Sequence, residues 1–346
     1  MSQIISYKCP NCGGPLKFHP NKQKYACEYC LSEFTQEALS DEEEKEEEAK
    51  PAKAGTEPLL YSCPSCGAEI VTDETTAASF CYYCHNPVIL SGRLSGEFHP
   101  DYVIPFSLGK KEATEIFKSW MKKKRYVPKA FYSEDQIEKI TGVYFPYLLY
   151  SCNAEGSVEA RADRVRVWVT GNIRYTETQT YEVLRSGTMP VKHVPRNALK
   201  KANKKLVEGV LPFGNDKLVP FSMGYLSGVV AERRDMQEED FTEEVKSEIR
   251  GFAEDSLRNS ITSYDSVRVE NQDIRFRDET WEYALLPVWT LTYHDDARDK
   301  MYYFTINGEN GKVCGELPVD KWKLMILFAE VFIPIFLLML LVGYFI

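Results

Sequence analysis

Residues 9–30 read CPNCGGPLKFHPNKQKYACEYC, and residues 63–84 read CPSCGAEIVTDETTAASFCYYC. Both have the form C-x2-C-x14-C-x2-C, and the second begins 54 positions after the first. A C-x2-C step lets one tight turn aim two thiolates at a single tetrahedral ion, and the intervening segment is long enough for a β-hairpin that brings the second turn opposite the first. Pro10 and Pro64 follow the leading cysteine, and Gly13 and Gly67 follow its partner. Glycine there lets backbone amides approach the sulfurs. Each copy therefore reads as a four-cysteine zinc ribbon, with Cys9, Cys12, Cys27 and Cys30 holding one ion and Cys63, Cys66, Cys81 and Cys84 a second. Coordination interleaved between the copies is the competing geometry. His19 and His85 lie beside complete sulfur sets and read as surface residues. A disulfide framework is disfavoured because MSQIISYKCP has no apolar signal-peptide core directing the chain to an oxidising compartment.

The other end of the sequence is almost entirely apolar. From Leu324 to Ile346 only Glu330, Pro334 and Gly343 interrupt it. As a helix this stretch reaches about 34 Å, enough to cross a hydrocarbon core of about 30 Å, so we expect a transmembrane anchor over 321–346. Lys321 and Lys323 flank it on the N-terminal side, which predicts a single-pass protein in the cell membrane with its N-terminal bulk in the cytoplasm. Reduced zinc thiolates require the same side.

Between these landmarks the expected organisation is a first ribbon over 1–36, an acidic linker over 37–58, a second ribbon over 59–96 and a body over 97–320. The linker, EALSDEEEKEEEAKPAKAGTEP, has no aromatic residue and a block of like charge, the composition of a solvated tether. The body is rich in aromatics and reads as an α+β unit with an antiparallel sheet. Alternation marks strands in SVEARADRVRVWVTG, IRYTETQTYEVL and MYYFTINGENGKVCGEL, the last containing Asn-Gly turn signals. Helices are expected near Lys110–Lys124, Ser133–Lys139, Pro195–Glu208 and Glu238–Ser260. VIPFSLGKKEA at 103–113 is similar to LVPFSMGYLSG at 218–228, and each precedes a helical stretch and a Pro-aromatic strand, VYFPYLLY or LLPVWTLTY. This pattern predicts an internally duplicated body.

Tandem TFIIB-type ribbons, the strings VPFSMGYLSGVVAER, LLPVWTLTY and NGENGKVCGELP, and a terminal apolar helix together resemble the bacterial YdjG-type zinc-ribbon membrane proteins. The ribbon part is shared by many unrelated proteins, whereas the body strings are distinctive. The resemblance implies a non-enzymatic membrane partner for PspA-like envelope-stress proteins and for SPFH or zinc-ribbon neighbours.

Charge weighs against nucleic acid. The net charge is −9, the first ribbon sets Lys8, Lys17, Lys22 and Lys24 against Glu28 and Glu33, and the second sets Arg93 against Glu69, Asp73 and Glu74. A phosphate-binding surface needs concentrated positive charge, so a membrane-tethered nucleic-acid regulator is the second reading. Two basic runs remain, KKKR at 122–125 and KKANKK at 200–205, either of which could meet acidic lipid. No P-loop, G-x-S-x-G, H-E-x-x-H or dinucleotide fingerprint occurs. His99, His193 and His294 are scattered, YHDD at 293–296 reads as a turn, and Cys152 and Cys314 read as lone strand cysteines. We therefore expect no catalytic residues and no small-molecule substrate. The predicted role is a membrane-anchored zinc-ribbon adaptor acting by protein–protein interaction, with Tyr29, Tyr82 and Tyr83 available on the knuckles and the linker letting the first ribbon search for its target.

Overall fold

The alternation that opens at Thr141 continues far beyond the usual strand length of about five or six residues, and this dominates the architecture. The computed structural model describes residues 4–36, 38, 59–63, 69–81, 86–296 and 298–345. Strand β1 (Ile4–Ile5) precedes the first cysteine set, whose hairpin is β2 (Leu16–His19) and β3 (Lys24–Cys27), followed by β4 (Glu33–Phe34). Around the second set run β5 (Leu59–Ser62), β6 (Glu69–Thr72), β7 (Thr76–Phe80) and β8 (Pro87–Leu90). The body begins with β9 (Tyr102–Val103), α1 (Lys110–Lys122), α2 (Glu134–Glu138), β10 (Thr141–Thr170) and β11 (Ile173–Asn197). It continues through α3 (Lys204–Gly209), β12 (Val219–Pro220), β13 (Val230–Glu232), α4 (Glu239–Asn259), β14 (Ser266–Asp295), β15 (Lys300–Asn307) and β16 (Val313–Gly315) to α5 (Lys321–Phe345).

Strands β10 and β14 are each 30 residues long and β11 is 25. β10 lies between the other two in antiparallel register, from Tyr147↔Asn197 to Thr170↔Ile173 on one side and from Thr141↔Thr290 to Asp163↔Ser266 on the other. At about 3.3 Å per residue this ribbon follows roughly 95 Å of strand contour. Helix α4 supports its lower part through a stripe of Phe241, Val245, Ile249 and Ala253. The approach is close at Gly156, where an added Cβ would lie 2.6 Å from Leu257 Cδ1 and 2.7 Å from Ile274 Cδ1. Beyond Asp163 the third strand stops, and β10 and β11 continue as a two-stranded hairpin. Gly171 takes φ +62° in the two-residue turn that closes it.

The rest of the main sheet runs in the order β1-β8-β7-β13-β10-β14-β15-β16, antiparallel except where β10 meets β13 and β14 meets β9. The two Pro-aromatic strings face each other within it: Tyr144 is opposite Pro287 and Pro146 opposite Leu285, a register unchanged when the strings are exchanged. β9 and β12, from the two similar PF strings, also pair. Helix α1 buries Ala113, Phe117 and Met121 on one face, and the Phe117 ring meets that of Phe304 at 4.9 Å.

Three of the four expected helices form near their expected bounds. The fourth does not begin at Pro195. The ladder with β10 carries β11 through Asn197, leaving only Lys204–Gly209 helical. Pro190 and Pro195 are accommodated because β11 pairs only with β10 among the described strands, and an edge strand tolerates proline where the N–H would face away from its partner.

Helix α5 is long and apolar enough to cross a membrane, and its span is unburied by the body. Its entry is fixed: the Asp320 N–H donates to Tyr126 O at 2.8 Å, Lys323 Nζ donates to Val127 O at 2.6 Å, and an Arg298 guanidinium N–H donates to Val319 O. The ribbon starts at this end of the sheet and finishes at the far tip.

Candidate metal centre

The first cysteine set closes on itself. One ligand sulfur from each of Cys9, Cys12, Cys27 and Cys30 lies within 4.8 Å of all the others, with Cys9 Sγ 3.5 Å from Cys30 Sγ and Cys12 Sγ 3.4 Å from Cys27 Sγ. Two backbone knuckles aim them. In the first, Cys9 N donates to Gly14 O and Gly13 N to Cys9 O, with Gly13 at φ +73°. In the second, Cys27 N donates to Ser32 O and Leu31 N to Cys27 O, with Leu31 at φ +60° in the place Gly13 holds. A Cβ at Gly13 would meet nothing within 4 Å, so glycine answers a conformational demand there rather than a lack of space.

This arrangement fits a structural zinc ion. Four thiolates bound at about 2.3 Å around a tetrahedral ion have sulfur–sulfur edges near 3.8 Å, in the range of the spacings here. The thiols resist ionising together when no cation is present. The Gly14 N–H favours the Cys12 thiolate, but hydrogen bonding shared with Cys27 and Cys30 outweighs it and pushes Cys12 up to about 12. The Ser32 hydroxyl, then its backbone N–H, pulls Cys30 down to about 6. A bound divalent cation would stabilise the remaining thiolates and tie the knuckles together. Ser32 was not apparent as a participant from the cysteine spacing, although it sits two residues beyond the last ligand.

The second set is only partly described. Cys63 and Cys81 are buried and form a near pair. Cys66 and Cys84 lie outside the described residues, as do Tyr82, Tyr83, His85 and residues 39–58 of the expected linker. One four-cysteine cluster is therefore present among the described residues, and a second ribbon like the first is not shown. The expected hairpin between the second knuckles is absent there. β6 pairs with β5 in a separate two-stranded sheet, while β7 pairs with β8 and β13 in the main sheet. The apolar face of β7, with Ala77 and Ala78 fully buried, finds its partner in the body. Arg93 holds the corner between the two sheets by donating to the Asp73 and Thr76 carbonyls. The one basic residue of this region is thus buried and occupied.

Nor is the first ribbon a free module. Leu16, Tyr25 and Cys27 belong to the same buried cluster as the body core, and the Phe18 ring meets the Tyr225 ring at 5.3 Å. Phe18 N donates to Ser227 O at 3.0 Å, the Ser227 hydroxyl donates to Leu16 O, and Gln23 Nε2 donates to Phe106 O at 2.8 Å. The expected search for a target on a flexible tether is replaced by a docked ribbon. Tyr29 remains 75% exposed on its knuckle, and His19 is exposed as expected.

The other singled-out residues do not converge. His99 packs edge-on to Phe221, His193 meets Glu282 at 3.1 Å, and His294 lies near the end of β14 opposite Met301, between Asp296 and Asp299, so that of the turn expected at 293–296 only Asp296 leaves the strand. Cys152 lies buried in β10, and Cys314 is half-buried in β16. Sequence reasoning did not single out the hairpin tip. Val165, Val167, Trp168, Val169, Ile173 and Tyr175 are all exposed there, and the Trp168 and Tyr175 rings stack at 5.6 Å.

Among the described residues the chain combines a four-cysteine cluster that could hold zinc, a sheet-rich body and one helix long and apolar enough to cross a membrane. Over 332 residues the chain is 32% identical to the "Uncharacterized protein YdjG" of Bacillus subtilis (strain 168), covering 95% of this chain and 94% of that protein. The chain belongs to the YdjG family. No family model and no solved structure matches it.

Proposed function

We propose that this protein is a membrane-anchored adaptor that recruits protein partners, with its bulk on the cytoplasmic face. The observation that carries this reading is the ribbon tip. Past Asp163, a two-stranded hairpin has no further layer over it among the described residues, yet it holds exposed valines, Trp168, Ile173 and Tyr175. Exposed apolar clusters of this kind mark contact surfaces. The tip sits at the far end of a ribbon of roughly 95 Å contour, so it can present a contact well away from the bilayer that holds α5. Lys321 and Lys323 beside the span support the cytoplasmic orientation. In this reading zinc occupies both cysteine sets, and the family resemblance nominates PspA-like, SPFH or zinc-ribbon proteins as partners.

The test is crosslinking and pull-down from intact membranes with the full chain, beside a variant carrying Trp168→Ser, Ile173→Thr and Tyr175→Ser. Since these side chains are exposed, the variant should fold normally and lose a specific protein partner. An unchanged set of captured proteins refutes the tip as the contact. Recovery of nucleic acid alone would favour the regulator reading, and turnover of a small molecule by the purified chain would favour an enzyme.

A further inference from the structure

The two basic runs look alike in sequence, but tertiary contacts give them different surroundings. In the 200–205 run, Lys201 lies 3.0 Å from Glu232 and 3.5 Å from Asp73, while Lys204 lies 3.0 Å from Glu244. Two of its four lysines are thus paired with carboxylates. In the 122–125 run, all four side chains are exposed, and none lies within 4.0 Å of a carboxylate among the described residues. Lys124 instead sits over the Trp120 ring at 4.9 Å.

Position separates the runs further. Tyr126 and Val127, the next residues after Arg125, are the ones whose carbonyls receive the Asp320 N–H and Lys323 Nζ at the entry to α5. The basic run is therefore fastened beside the first turn of the apolar helix. Beside it opens a recess of about 450 Å³, edged by Lys118, Lys122, Lys124 and Arg125 with buried Met121 and Ile137 in its lining. Lys118 is paired with Glu134 at 3.2 Å, leaving the other three cations facing outward. Cationic side chains around an apolar base match the boundary between lipid headgroups and acyl chains.

We propose that Lys122, Lys123, Lys124 and Arg125 form a docking face for the anionic phospholipids of the bilayer that α5 enters, seating the body on the membrane and setting the ribbon's direction. The proposal needs α5 to span the bilayer but is independent of the protein-adaptor reading. Each basic residue close to an anionic leaflet favours the seated over the lifted body by about fivefold. Four such residues make seating dominant, and salt weakens it because the Debye length falls to about 3 Å at 1 M.

Hydrogen exchange of the full chain in lipid nanodiscs provides the test, comparing phosphatidylcholine alone with a mixture containing phosphatidylglycerol. Peptides spanning 118–127 should exchange several-fold more slowly on the anionic bilayer, and raising salt should abolish the difference. A variant with Lys122→Gln, Lys123→Gln, Lys124→Gln and Arg125→Gln should show the neutral-bilayer rate on both. Lys200→Gln with Lys205→Gln should leave the difference intact. Equal exchange of the native chain on the two bilayers overturns the proposal, as does an equal loss in the 200–205 variant. Protection that appears only with added protein, on either bilayer, would assign the face to a protein partner instead. Loss of the tip's partner with the 118–127 protection unchanged would separate this face from the adaptor function.

Discussion

Replacing Cys27 by serine should do more than remove one zinc ion. Cys27 is 1% exposed and shares a buried cluster with Leu16 and Tyr25, and a structural zinc site supplies on the order of 10 kcal/mol to a domain this small. Losing it should unfold the first ribbon. The body then loses its cover over residues 224–228: the Phe18–Tyr225 ring pair at about 1 kcal/mol, two hydrogen bonds with Ser227 at about 1 kcal/mol each, and part of the burial of Tyr225 at about 1 kcal/mol. Together these destabilise the body by about 4 kcal/mol, which for a unit of this size lowers Tm by about 10 °C. The assay is elemental analysis and thermal unfolding of the full chain in detergent, with hydrogen exchange read over 224–228. The variant should lose one zinc equivalent, melt earlier and exchange faster in that loop. Retained zinc would refute the ligand assignment. Zinc lost with Tm and loop exchange unchanged would refute the docking argument and restore a loosely tethered ribbon.

Gly224→Ala should wedge the ribbon from the body, because the added Cβ collides with Tyr25 Oη; a cost of about 1–3 kcal/mol is expected, and an unchanged melting curve would contradict it. Gly13→Ala meets no atom but keeps a left-handed backbone, so a smaller loss of about 1–2 kcal/mol should appear as weaker zinc retention against a chelator. Hydrogen bonds to Asp296, then to Asp299, raise the pKa of His294 above its usual value. Its stabilising contribution is therefore complete below about pH 6.5 and fades as pH rises through the higher folded value; an NMR titration midpoint at or below 6.5 would sink this. Deleting Leu324–Ile346 should release a soluble chain with the same zinc content, since α5 buries none of its span against the body; membrane retention after a high-salt wash would reveal another attachment.

The features legible in the sequence are those whose physics is local. Two thiols three residues apart at one knuckle can be read as ligands without knowing the fold, and a long apolar stretch declares its medium by composition alone. Helices α1 and α4 were legible for a similar reason, since a stripe such as Phe241, Val245, Ile249 and Ala253 repeats at the helical period. The ribbon's full length was not. Alternation marked 157–171 and 173–184, whereas the unbroken continuation of β10 back to Thr141 and of β11 on to Asn197 rests on backbone pairing with distant segments. Pro195 reads as a helix start until an edge strand accommodates it. The second cysteine set copies the first in spacing, yet β7 leaves for the main sheet because Ala78 has a partner in Ala231, 153 residues further on. The same limit applies to the basic runs. Lys122–Arg125 and Lys200–Lys205 each carry four cations, and only long-range packing set Lys201 and Lys204 of one against Glu232 and Glu244 and the other beside the foot of α5. Composition determined which charges and ligands the chain carries; tertiary structure decided which of them are spent within the protein and which face outward, because pairing energies depend on distances that chain separation does not specify.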